Sequence, residues 1–163
     1  MSYPFQVTFD CHDIKAMAQF WAVALNYSRQ EPPNGFSSWA EFATKVGIPQ
    51  ELWRGAVNDP AGNGPRLFFQ PVPEGKTAKN RVHLDINVSG GAETQAERRR
   101  LALAHADRCV AAGASLVTVF DGDDGWHIAM LDPEGNEFCI QYQPALQLTT
   151  RALPATEGPS RRL

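Results

Sequence analysis

Asp59-Pro60-Ala61-Gly62-Asn63 leads into Arg66-Leu67-Phe68-Phe69-Gln70, and Asp132-Pro133-Glu134-Gly135-Asn136 leads into Glu137-Phe138-Cys139-Ile140-Gln141. Both pentapeptides read Asp-Pro-x-Gly-Asn. Proline presets one turn dihedral and glycine supplies a positive φ, so each reverses the chain into a strand. The segments upstream repeat as well. Phe5 to Cys11 alternates apolar and polar residues, the period of a half-buried strand with Gln6, Thr8 and Asp10 on one face. Arg81 to Val88 does the same: Val82, Leu84, Ile86 and Val88 point one way, and His83, Asp85 and Asn87 the other.

A helix pattern follows each strand. Asp13 is an N-cap type, Ile14, Met17, Trp21, Ala24 and Leu25 fall at helical spacing, and Asn26 suits a left-handed C-terminal position. The second helix is expected from about Ala92 to Ala112, with Ala102, Leu103, Ala106, Cys109 and Val110 as its apolar stripe, His105 at the surface and Gly113 as its stop. Strands are expected at Ser115–Phe120 and Trp126–Leu131 around the turn Asp121 to Gly125. Between Ser28 and Asn58 the pattern does not decide: Trp39 to Val46 suits a strand or an amphipathic turn, and Pro49 to Gly55 a short helix. The fold class is α+β, with a first βαβββ module over 1–75, a second over 76–143 in one folding unit, and an arm or tail over 144–163, where Thr, Pro, Ala and Arg dominate.

Composition narrows the function. The 163 residues include 18 acidic and 15 basic side chains, a net charge of −3, so nothing electrostatic favours nucleic acid or an anionic membrane. Arg98-Arg99-Arg100 lies in the second helix and reads as a solvated face. The 3 cysteines, Cys11, Cys109 and Cys139, lack CxxC spacing, which points away from a disulfide scaffold or structural zinc and toward a reducing, cytoplasmic setting. No run of apolar residues is long enough to span a membrane, and no signal-peptide pattern is seen at Met1 to Gln6.

The duplicated βαβββ order, the run Lys79-Asn80-Arg81-Val82-His83-Leu84-Asp85 and the closing Leu131-Asp132-Pro133-Glu134-Gly135-Asn136-Glu137-Phe138 resemble the vicinal oxygen chelate superfamily. More narrowly, residues 4 to 143 resemble its glyoxalase-like branch, the glyoxalase/bleomycin resistance protein/dioxygenase group. The resemblance implies paired, curled mixed sheets enclosing a cleft. It does not imply one reaction, since the superfamily holds lyases, isomerases, dioxygenases, thiol transferases and metal-free drug-binding proteins. It also implies a homodimer, because curved sheets leave edges that a second copy can cover.

Metal-using relatives place His, Gln or Glu on the first and last strands of both modules. By the resemblance those positions here are Gln6, Phe68, His83 and Cys139, where a carboxylate is expected in place of Cys139. An amide, a phenyl, an imidazole and a thiol make a poor shell for a divalent ion, so the set weighs against a resident metal, with Gln70, Glu137 and Gln141 two residues away as donors for a shifted site. No other cofactor is indicated.

His83 is the expected acid, base or hydrogen-bond partner, with Asp85 holding its tautomer, although a structural histidine and a rim ion pair with Arg81 are the plainer readings. Gln6, Phe68, Gln70, Glu137, Cys139, Trp39, Trp53 and Trp126 are the expected ligand-lining residues. Cys139 reads as a small neutral wall rather than a nucleophile. Two functions follow: a lyase or isomerase moving a proton on a small carbonyl or hydroxyl substrate, or a non-catalytic, metal-free small-molecule or drug-sequestering protein.

Overall fold

Gln6–Cys11 (β1) runs parallel to Arg66–Pro71 (β4), and Gly55–Asn58 (β3) and Ser28–Arg29 (β2) continue the sheet in the order β1-β4-β3-β2. The second sheet repeats this plan: Leu84–Asn87 (β5) is parallel to Glu137–Gln141 (β8), followed by Gly125–Leu131 (β7) and Ser115–Gly122 (β6), order β5-β8-β7-β6. The architecture comes from a computed structural model that describes residues 3–49, 53–88, 90–122 and 125–142. The expected tail at 144–163 lies outside the described residues, as do residues 50–52 of the expected short helix Pro49 to Gly55, whose last residue opens a strand instead.

Helix Ile14–Leu25 (α1) forms as its sequence dictates. The Asp13 carboxylate accepts from the Ala16 N–H at 2.9 Å, and Asn26, at φ 55°, ends the helix in the left-handed region. Met17, Ala18, Phe20, Trp21 and Ala24 are buried in the core that the helices share with the inner faces of the sheets. Phe20 and Trp21 touch Phe138 at ring separations of 5.6 and 5.5 Å, so one apolar core on the helix side joins the modules. Burying each such aromatic contributes about 2–3 kcal/mol.

Three expectations are corrected. Trp39–Val46 is a helix (α2), neither the strand nor the amphipathic turn left open above: Ser38 Oγ accepts from the Glu41 N–H, and Gly47, at φ 72°, terminates it. In Gln95–Ala111 (α3), the buried stripe is Ala102, His105, Ala106 and Cys109, whereas Leu103 and Val110 are 45% and 47% exposed. His105 is therefore not a surface residue; its Nε2 lies 2.8 Å from the Ala24 carbonyl at the end of α1, a bond that ties the two helices. Burial, only partly offset by that bond, lowers its pKa. Finally, the second-module strand is shorter than Arg81 to Val88, so His83 stands one residue before β5.

Candidate functional site

Each sheet covers its core with one face and leaves the other open. In β1 and β4 the register pairs Gln6 with Arg66, Thr8 with Phe68 and Asp10 with Gln70, while Val7, Phe9, Cys11, Leu67 and Phe69 turn toward the helices. The open face of the first sheet is therefore three rows deep. In the first row, Arg66 Nη1 donates to Gln6 Oε1 at 2.8 Å, and Arg66 Nη2 and Nε donate to Gln30 Oε1 at 2.7 and 3.1 Å. The guanidinium carbon sits 4.7 Å from the Phe68 ring centre, a cation–π stack. In the third row, Gln70 Nε2 donates to Asp10 Oδ1 at 2.7 Å.

The second sheet's open face has the same plan and other chemistry. Asp85 pairs with Cys139 and Asn87 with Gln141, and Ala129 and His127 continue the rows on β7. Burial first, and then the charge of and hydrogen bond to Asp85, raise the Cys139 pKa, so the thiol is held protonated and is no thiolate nucleophile. Glu137 is also committed: its Oε2 accepts from the Asn80 N–H and pairs with Lys76 Nζ, both at 3.1 Å. That backbone bond, with Lys76, draws its pKa down to about 2, so it stays ionised and is a poor proton donor. His83 and Asp85 are exposed.

The sequence-derived residues thus fall into two groups, Gln6, Phe68 and Gln70 on one sheet and Asp85, Glu137 and Cys139 on the other, with His83 leading into the latter. Among the described residues no hydrogen bond or ion pair joins one group to the other. The tryptophans separate further. Trp39 reaches the site indirectly, its Nε1 donating to the Gln30 carbonyl at 2.8 Å. Trp53 Nε1 donates to the Ile48 carbonyl and braces a loop. Trp126 belongs to the other side of its sheet: it is 8% exposed, alternates with His127, stacks on Tyr142 at 5.4 Å and lies under Arg99. Its expected place on the ligand face is corrected by that strand parity. Arg99 also pairs with Asp121 at 2.7 Å, so the arginine run is in part structural.

At the four positions that the resemblance assigns to metal ligands, the Gln6 oxygen is taken by Arg66, Phe68 has no donor, Cys139 is protonated beside Asp85, and only His83 remains. Among the described residues no three His, Cys, Asp or Glu side chains come close enough to hold an ion. These residues do not fit a divalent metal.

A family model described as "Glyoxalase-like domain" matches residues 6–141. The chain belongs to the glyoxalase-like domain family. Solved structures agree on the fold of this glyoxalase-like protein. A glyoxalase/bleomycin resistance protein/dioxygenase family enzyme from Burkholderia phytofirmans is similar at TM-score 0.56 and 16% identity, covering 83% of this chain and 94% of that one. The fosfomycin resistance protein FosX from Mesorhizobium loti is similar at TM-score 0.58 and 10% identity, covering 89% and 94%. The oxidase ChaP-H2 is similar at TM-score 0.53 and 18% identity, covering 88% and 94%. At such identities the likeness shows the fold alone. No curated protein matches the chain in sequence. No described helix is long and apolar enough to cross a membrane.

Arg66 and Gln30 are the site residues that sequence reasoning missed. Arg66 was available, since it shares strand parity with Phe68 and Gln70. Gln30 was not: it lies 36 residues from Arg66 and reaches it only because β2 and β3 fold back beside β4.

Proposed function

We propose that this glyoxalase-like protein binds a small organic molecule on the open faces of its sheets, without a resident divalent ion. One observation carries the reading: at three of the four metal-ligand positions the side chains are spent on neighbours or lack donors, while an aromatic ring and a set of ordered amides remain on the first sheet's open face. Such a surface recognises shape and polar groups, which is what a binding protein needs.

Proton transfer is the second reading, favoured by His83, an exposed imidazole at the start of the strand bearing Asp85. A thermal-shift and NMR screen of small carbonyl compounds and aromatic drugs, run with EDTA and with added Mn²⁺, Mg²⁺ or Zn²⁺, separates the readings. We expect stabilisation that is indifferent to the ions. Stabilisation seen only with an ion overturns the metal-free proposal. If turnover is found, His83→Ala abolishes it under the second reading; unchanged affinity in that variant supports binding alone.

A further inference from the structure

We infer that Arg66 is the anchor for an oxyanion, so that the molecule taken by the first sheet's open face is a small carboxylate on an apolar, planar body. This inference rests on the proposed small-molecule reading and names its ligand class. Three observations meet at the guanidinium. First, it is fixed: two amide oxygens, Gln6 Oε1 and Gln30 Oε1, accept from it, and its carbon stands over the Phe68 ring, 4.7 Å from the ring centre. Gln30 is itself placed, because its carbonyl accepts from Trp39 Nε1 and its N–H donates to the Ala56 carbonyl at 2.9 Å. A long, rotamer-rich side chain has thus already lost its freedom before a ligand arrives, which removes part of the ordering cost of binding.

Second, its charge is uncompensated. Among the described residues the ion pairs are Lys76 with Glu137 and Arg99 with Asp121, and no carboxylate lies within 4.0 Å of Arg66. The acid on the same face, Asp10, is four residues along β1 from Gln6, about 13 Å away at strand spacing, and is engaged by Gln70. Both partners of the guanidinium are neutral amides.

Third, its donors are not exhausted. A guanidinium offers five N–H groups, and the three bonds to Gln6 and Gln30 use one each from Nε, Nη1 and Nη2. One N–H remains on each amino nitrogen, the number that the two oxygens of a carboxylate take up. A carboxylate there places its apolar body along the Thr8–Phe68 row, beside the buried methyl of Ala56, whose register partner is Phe68.

The test uses matched acid and amide probes: benzoate with benzamide, and phenylacetate with phenylacetamide, titrated into the ¹⁵N-labelled full chain at constant ionic strength. We expect the acids to bind the β1–β4 face at least about tenfold more tightly than the amides, roughly the worth of one charge-assisted bidentate contact. Arg66→Gln should bring that ratio to near one, and Arg66→Lys, which keeps charge but not the planar fork, should leave it in between. Gln30→Met, which releases the guanidinium on one side while keeping side-chain length, gives a second reading should Arg66→Gln fail to fold, and should lower the acid preference. If acids and amides bind that face alike, or the acid preference survives Arg66→Gln, the anchor is wrong and the small-molecule reading stands. If no probe of either kind perturbs the open faces, both fall.

Discussion

In the first Asp-Pro-x-Gly-Asn turn, the Asp59 carboxylate accepts from the N–H groups of Ala61, Asn63 and Gly64 at 2.8 to 2.9 Å, and every partner is local. In the second, Asp132 accepts from the N–H groups of Glu134 and Asn136 and from the Asn136 amide, the same local scheme, and also from Trp21 Nε1 at 3.3 Å in the other module. Asp132 is 3% exposed. Glu134, at the position of Ala61, adds a second reach: its carboxylate accepts from the His12 and Asp13 N–H groups at 2.7 to 2.9 Å, where α1 begins. One turn therefore only reverses the chain. The other, built on the same five-residue code, also fastens the modules together.

The asymmetry extends along the strands that the turns launch. Arg66 and Glu137 each open their strand, but Arg66 lies on an open face with neutral partners, and Glu137 is held by Lys76 and the Asn80 backbone. At these two strand starts, module two spends its charge on a local ion pair, and module one leaves its cation without a carboxylate partner among the described residues. The duplicated fold thus places the contacts that join the modules at the second turn, while under the proposal above the cation for recognition stands in the first module.

The most damaging way to break the comparison is Asp132→Ala. It strips the acceptor from the buried Trp21 Nε1 and from two turn N–H groups, a loss of about 3 kcal/mol for donors left unpaired in the core. Asp59→Ala removes bonds that water can replace, and its loss should be clearly smaller. Urea midpoints of both variants decide this; equal losses would show that the second turn is as local as the first.

Glu134→Ala sharpens the point at about 1 kcal/mol, the usual worth of an acceptor at a helix N-terminus. The reciprocal Ala61→Glu should stay within about 0.5 kcal/mol of the parent, since an exposed carboxylate there gains no described partner. Stabilisation by Ala61→Glu would mean that the first turn also faces a helix end.

These two turns were legible in the sequence because turn chemistry is local: Pro, Gly and the Asp side chain act within five residues. The caps of α1 were legible for the same reason. Helix α2 carried a local signal too, Ser38 followed by Glu41, but at 8 residues its apolar spacing also suited a strand or a turn. Strands β2 and β3, of 2 and 4 residues, are shorter than one period test can resolve and exist only through pairing, β3 with β4 and β2 with β3. His105 was misread because its type suggested the surface although its spacing from Ala102 and Cys109 placed it on the buried stripe. Trp126 was misplaced in the opposite way: its type suggested a ligand wall, while alternation with Ile128 and Met130 assigned it to the core side. Strand parity was enough to put Gln6, Phe68 and Gln70 on one open face, and the bonds that immobilise Arg66 depended on topology.

The finest discrimination between the turns is in how they titrate. Backbone N–H groups, that of Ala61 foremost, hold the Asp59 pKa below its usual 3.8. A carboxyl lowered on folding adds stability above pH 3.8, and that share is lost as pH falls through the folded value. Burial outweighs the hydrogen bonds at Asp132 and raises its pKa above 3.8. The sign is then reversed: its share is full below pH 3.8 and is lost as pH rises through the folded value. Urea midpoints of Asp59→Asn and Asp132→Asn against the parent, taken from about pH 7 down to about pH 3, should therefore diverge. The parent's advantage over Asp59→Asn shrinks toward acid, and its advantage over Asp132→Asn grows. Both effects are smaller than the loss in Asp132→Ala, because asparagine keeps an acceptor oxygen in each turn. Slopes of the same sign would mean that the hydrogen bonds to Asp132, not its burial, govern its charge, and that the two turns differ in what they touch but not in how they hold a proton.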